Sequence, residues 1–163
     1  MFYVLVFLSS IVLANLSVAY FGPPSVIFNA FILIGLDLTL RDKLHEQWHG
    51  KNLAWKMILL VVVSGIITYL LNQGAGRIAL ASVLAFTGAM IVDILIYQKL
   101  FKHPLLVKMN GSNIGSAITD SVLFPTIAFG VFVPWIILGQ LMAKIVGGFL
   151  WSIVIKSIIA KPA

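Results

Sequence analysis

IALASVLAFTGAMIVDILIY, residues 78–97, is a twenty-residue apolar run with one charged side chain, Asp93. A helix of roughly 17–25 such residues crosses the hydrocarbon core of a bilayer. A charge held at that depth costs about 2.5–3.5 kcal/mol even on the lenient insertion scale, and such groups face a bundle interior where they find partners. The run therefore predicts a transmembrane helix whose carboxylate points inward. Two more charges repeat the pattern further along, Asp120 and Lys144, each inside an apolar stretch. Three such charges in so small a chain point to a polar site within the membrane.

The rest of the sequence agrees with a membrane setting. Of 163 residues, 61% are hydrophobic and 10% charged, with mean hydropathy +1.08. Soluble domains are about half apolar and a quarter charged. No polar block is long enough to fold separately, so one domain over residues 1–163 is expected. Cysteine is absent, which excludes a disulfide frame, a thiolate metal site and a cysteine nucleophile. The net charge is +6, but the basic residues stand at helix ends. They report orientation and do not suggest nucleic acid.

Outward from residues 78–97, the apolar runs predict an all-α polytopic protein of six spans, at residues 2–19, 25–40, 53–71, 77–97, 112–133 and 134–159. The first has no cleavage site and reads as a retained span. The turn Phe21-Gly22-Pro23-Pro24 separates the first two, Asn72-Gln73-Gly74 closes the third, and Pro125 lies inside the fifth. Proline removes one helical hydrogen bond. That produces either a plain packing kink or a bent span lining a cavity. Arg41, Lys43, Lys51, Lys56, Lys99, Lys102, Lys108, Lys156 and Lys161 fall on one side, and Arg77 alone on the other. By the positive-inside rule both termini are cytoplasmic, in the inner (cytoplasmic) membrane. The similar strings SVLAF (82–86) and SVLFPTIAF (121–129) are no convincing repeat.

Helical phase sorts the polar groups into faces. In the fifth span Asn113, Ser116 and Asp120 stand at i, i+3 and i+7 and share one face, with Ser112 one turn before Ser116 on an adjoining stripe. Gly111 and Gly115 have the small-xxx-small spacing that lets helices approach closely. In the fourth span Ser82, Phe86, Ala89, Asp93 and Tyr97 form a stripe, and in the sixth Gln140, Lys144, Gly148 and Trp151. At about 1.5 Å rise per residue, Asp120 lies roughly a third of the way in from the cytoplasmic face and Lys144 near the midplane. The lysine arm spans that difference, so an Asp120–Lys144 pair and an Asp93–Lys144 pair both remain open. Asp37 and Asp93 are expected nearer the interface, where snorkelling to water competes with burial. With Arg41 and Asp42, Asp37 forms a candidate loop or gating group. A carboxylate is a bidentate acceptor for adjacent N–H donors. Asn113 and Gln140 can read a carbonyl or ring nitrogen, and Phe86 or Trp151 can stack on a flat ring.

The segment RDKLHEQWH (41–49) contains His45-Glu46-x-x-His49, the zincin spacing. No third ligand is evident. The ordinary reading is an amphipathic helix end at headgroup level with Trp48 as its anchor. No metal, cofactor or catalytic residue is assigned, and no Walker motif is present.

The strings GLDLTLRDKLHEQWHGK (35–51), IALASVLAFTGAMIVDILIY (78–97), GSNIGSAITDSVLFPTIAFG (111–130) and GQLMAKIVGG (139–148) resemble the VUT family of vitamin-uptake or queuosine-precursor transporters. The chain is shorter than the better-known members. It ends its second span in GLDLTLRD where those read more like Ser-Asp…Glu-Val-Tyr-Gly, which marks a compact subgroup. The resemblance implies a six-helix fold like the substrate-binding subunits of energy-coupling-factor transporters. It also implies import of a 7-deazaguanine base such as 7-cyano-7-deazaguanine. Carried over by motif, Asn113, Asp120, Ser121, Asp93 and Lys144 become the polar site, to which phase adds Ser116 and Gln140. Partners are then the planar base, the lipid bilayer, and a separate energising module or a homo-oligomer. Competing readings are an importer of another vitamin-like molecule and a non-transporting scaffold or pore protein. Energy comes from a proton gradient, a separate ATPase, or diffusion with metabolic trapping.

Overall fold

The computed structural model describes residues 2–48, 52–100, 102–103 and 105–159. Among these the chain is all-helical. Helix α1 is Phe2–Phe21. It stops at Gly22, whose φ of +72° is left-handed and suits glycine. Helix α2, Ser25–Asn29, continues through a π-helical segment, Ala30–Ile34, into α3, Gly35–Gln47. The residues at both junctions are right-handed helical, so these three pieces form one rod. Then come α4 (Leu53–Leu71), a 3-10 turn at Gln73–Ala75, α5 (Gly76–Lys99), α6 (Leu105–Phe129) and α7 (Pro134–Ile159).

Two of the expected boundaries move. The second span does not end at Leu40: the helix runs on to Gln47, which places Arg41 on a helix one turn after Asp37. The fifth starts at Leu105 and stops at Phe129 rather than running from 112 to 133. Its stop is Gly130, left-handed with φ +74°. Arg77 donates from Nε to the Ile127 carbonyl at 3.0 Å, satisfying one acceptor that the helix end leaves free. The one basic residue on that side of the sequence is thus a clasp between α5 and α6.

Among the described residues four helical stretches are long and apolar enough to cross a membrane: Phe2–Phe21, Ala54–Leu71, Gln73–Lys99 and Pro134–Trp151. Their outer faces stay apolar. Leu13, Leu59, Ile66, Leu84, Leu138 and Phe149 are all exposed, a pattern that water would penalise and lipid does not.

Two apolar clusters hold the rods together. One joins Phe7 and Ile11 of α1, Leu40 and Leu44 of α3, and Met57 and Val61 of α4. The other joins Val18, Val26, Ala81, Ala85, Phe124 and Ile136, from five helices. Helices α5 and α6 run antiparallel along a small-residue seam. Gly88 lies against Leu123, Gly115 against Ile96, and Gly111 against Leu100. A second seam is closer still. A methyl added to Gly35 would lie 2.7 Å from the carbonyl carbon of Gly147, and one added to Gly147 would strike the Phe31 carbonyl. The π segment and α3 therefore cross α7 backbone to backbone, and this crossing brings Asp37 and Lys144 toward one space.

Candidate functional site

That space is a central cavity of about 600 Å³, mouth included, walled by α1, the π segment and α3, α4, α5, α6 and α7. Its polar lining is Asp37, Arg41, Ser82, Ser116, Asp120 and Lys144, and its apolar floor includes Phe7, Ile11 and Phe86. The rings of Phe7 and Phe86 meet edge to face, with centroids 6.5 Å apart and planes at 74°.

Lys144 is 2% exposed and Asp120 25%. The ammonium forms an ion pair with the Asp120 carboxylate and donates to Ser121 Oγ at 3.3 Å. A buried ammonium needs such partners, because leaving water costs several kcal/mol per ion. Pro125 bears on this corner. It has no N–H for the Ser121 carbonyl one turn earlier, so the helix carries a free acceptor beside the lysine's ligands, yet α6 runs unbroken through it. Across the cavity, Asp37 is buried and accepts a hydrogen bond from the Ser10 hydroxyl of α1. It does not snorkel to the interface. Two carboxylates, Asp37 and Asp120, thus face two cations, Arg41 and Lys144. Arg41, expected with Asp37 and Asp42 in a loop or gating group, instead lines the cavity wall.

The remaining residues go elsewhere. Asp93 does not meet Lys144. It lines a second cavity of about 870 Å³ with Arg41, Phe86 and Met90. Asn113 is exposed on α6, and its Oδ1 accepts from Arg41 Nη2 at 3.3 Å. It reaches the cavity only through that arginine, although Ser116 and Asp120 of the same stripe line the wall. Gln140 is buried and lines a third cavity of about 370 Å³, together with Asn15, Asn29, Phe124 and Asp120. Trp151 lies in a groove with Phe31 and Leu150, away from these cavities, so Phe86 is the ring at the centre. The side chains of Asp42, His45 and Glu46, and all of His49, lie outside the described residues.

Sequence reasoning missed Ser10, Asn15 and Asn29, all buried. Asn29 Nδ2 donates to the Ala14 carbonyl at 3.2 Å. The available signal was a helical stripe on α1, Phe7, Ser10, Ala14, Asn15 and Val18, which carries two polar residues among apolar ones.

The three cavities adjoin. The central one shares Ile34, Ser82 and Asp120 with the Asn15 cavity, and Arg41 and Phe86 with the Asp93 cavity. Polar spaces therefore follow one another through the bundle, with Asp120 at one boundary and Arg41 at the other. That is the arrangement a solute path requires, since polar groups at membrane depth are tolerated where they line a cavity.

Comparison with known proteins agrees with this. The sequence model of the family described as "Putative vitamin uptake transporter" matches residues 69–162, more than half of the chain. The match spans the end of α4 through α7 and includes Asp93, Asp120, Gln140 and Lys144. No curated protein and no solved structure matches the chain. With its apolar helices and the family match together, the chain is a multi-pass membrane protein that belongs to the vitamin uptake transporter family.

Proposed function

We propose that this transporter imports a 7-deazaguanine base, such as the queuosine precursor 7-cyano-7-deazaguanine, and binds it in the central cavity. The observation that carries the reading is the placement of Asp120. Its carboxylate stands at the boundary of two cavities, held by a lysine that is itself out of contact with solvent. A carboxylate accepts two adjacent N–H donors side by side, and the guanine-type edge of such a base presents that pair. Asp37 faces it from α3, Ser116 adds a hydroxyl, and the Phe86 ring supports the flat heterocycle. Lys144 and Ser121 position Asp120, Asn113 positions Arg41, and Gln140 belongs to the approach through the Asn15 cavity.

The same reading takes residues 1–163 as one domain of six crossings, with the α2–α3 rod and α6 as the two beyond the four most apolar. It places both termini in the cytoplasm of a cell with the protein in its inner membrane, on the lysine and arginine bias. The architecture is then that of an energy-coupling-factor substrate-binding subunit, energised by a separate module or by a gradient.

Uptake rescue tests it. The chain is expressed in cells unable to make 7-deazaguanine, the base is supplied, and queuosine in tRNA is measured. Rescue is expected, and the double variant Lys144→Met/Asp120→Asn, which leaves neither partner of the buried pair behind, is expected to cut it at least tenfold with the protein still abundant in the membrane. No queuosine despite abundant protein means that the solute is another vitamin-like molecule. Full rescue by the double variant removes the site assignment.

A further inference from the structure

Two charged groups on the wall of the Asp93 cavity each carry one unpaired polar atom. Among the described residues, Arg41 Nε is buried with no hydrogen-bond partner, and so is Asp93 Oδ1. A buried polar atom left unpaired costs about 1–3 kcal/mol, and more when charged. Here a donor and an acceptor of opposite charge line the same space. Arg41 is held at its other end, where Nη2 donates to Asn113. The rest of the wall is mostly apolar and adaptable, with Met57, Met90, Ile94 and Phe86 beside Tyr97 and Gln98. Methionine thioethers conform to flat ligands of varied outline.

The chemistry of the walls selects the ligand. Asp93 calls for an N–H donor and Arg41 for an acceptor. The two groups are of opposite sign, so a neutral ligand with one donor and one acceptor meets both. The apolar sides favour a flat ring over an ionised chain. A lactam edge, with an N–H beside a carbonyl, supplies both groups from one planar molecule. We infer that the Asp93 cavity is a second binding station for a neutral planar heterocycle with a lactam-type edge, whose N–H is received by Asp93 and whose carbonyl is received by Arg41. It adjoins the central cavity through Arg41 and Phe86, so one solute can pass from station to station. Its place in uptake rests on the substrate reading above, but its ligand chemistry does not.

The chain contains no cysteine, so Met90→Cys supplies its sole thiol. In purified protein reconstituted in nanodiscs, its rate of modification by a cationic methanethiosulfonate is measured with and without 2-pyridone, the smallest lactam edge. We expect 2-pyridone to slow modification several-fold, and glycine, a zwitterion with the same donor and acceptor, to leave it unchanged. Protection should vanish in Met90→Cys/Asp93→Asn and persist in Met90→Cys/Lys144→Met/Asp120→Asn, where the buried pair is removed as a unit. Should Met90→Cys not fold, Ala54→Cys on the same wall takes its place. The inference is overturned if 2-pyridone gives no protection (a water-filled vestibule only), if glycine protects instead, if Asp93→Asn keeps the protection, or if neither thiol reacts. Protection by 2-pyridone together with failed uptake of 7-cyano-7-deazaguanine would remove the proposed solute and leave the station standing. Successful uptake with no protection would do the reverse.

Discussion

Asp120 and Asp93 sit on the two helices of one antiparallel pair, both at depths where a bare carboxylate is expensive, and the protein treats them differently. Asp120 is met by a lysine that gives up its own hydration to reach it, with Ser121 as a further ligand. Asp93 is left with one oxygen buried and unpaired, beside an arginine whose Nε is equally unpaired. The difference separates a group whose charge is neutralised from within the fold from one whose hydrogen bonding is left for something outside it. It predicts opposite responses to removal of the charge.

The largest effect is expected at Lys144. Lys144→Met removes the only ion-pair partner that Asp120 has among the described residues, and breaking a buried pair from one side costs about 3–5 kcal/mol. The variant should show a lowered unfolding midpoint in detergent and reduced membrane abundance. The double variant Lys144→Met/Asp120→Asn should recover most of the stability and none of the uptake. Equal stability of the single and double variants would break the comparison at its first term.

Next come the two glycine seams. Gly147→Ala drives a methyl into the Phe31 carbonyl, and backbone on a packed rod cannot step aside. Overpacking of that kind costs about 1–3 kcal/mol or more. Gly115→Ala meets only the terminal methyl of Ile96, which can change rotamer, so a loss under about 1 kcal/mol is expected. Because Gly147 fixes where α7 crosses the π segment, its alanine variant should also lower uptake per folded molecule, while Gly115→Ala should not. Comparable losses at the two glycines would mean that the crossing does not position Lys144.

How far the sequence could have led follows from the same residues. The rods were legible because apolar runs of crossing length have few other readings, and because Gly22, Pro23 and Pro134 punctuate them, whereas the stop at Gly130 was passed over. Rise per residue allowed the reach from Lys144 to Asp120 but left Asp93 open as the other partner. The Arg41 side chain was misplaced because Asp37, Arg41 and Asp42 resemble the polar end of a span. Nothing local says that the helix continues to Gln47 and turns Arg41 back into the bundle. The π segment and the Gly35–Gly147 crossing were invisible, since both arise from tertiary approach and neither has a spacing signature. Ser10 escaped notice for a related reason: a serine on an apolar helix acquires meaning only once Asp37 arrives opposite. Ser10→Ala should therefore cost about 1–3 kcal/mol, the usual penalty for a buried acceptor that loses its donor, and a far smaller loss would mean that water replaces the hydroxyl at Asp37.

The smallest change in stability, and the sharpest test of the contrast, is expected at Asp93. Its buried oxygen makes no hydrogen bond that a substitution could break, so Asp93→Asn should shift the unfolding free energy by no more than about 0.5 kcal/mol, the range of a change that touches no structural feature. Asp93→Leu removes a carboxylate whose buried oxygen no hydrogen bond holds and adds apolar contact to a mostly apolar wall, so it should raise stability. Both variants should nonetheless lose solute transfer. A gain in stability with a loss of function is the signature of a group retained for its ligand. A structural aspartate cannot produce it, because whatever it held together would loosen when it left. If Asp93→Leu unfolds as readily as Lys144→Met, the two carboxylates are the same kind of residue and the distinction between the two cavities disappears.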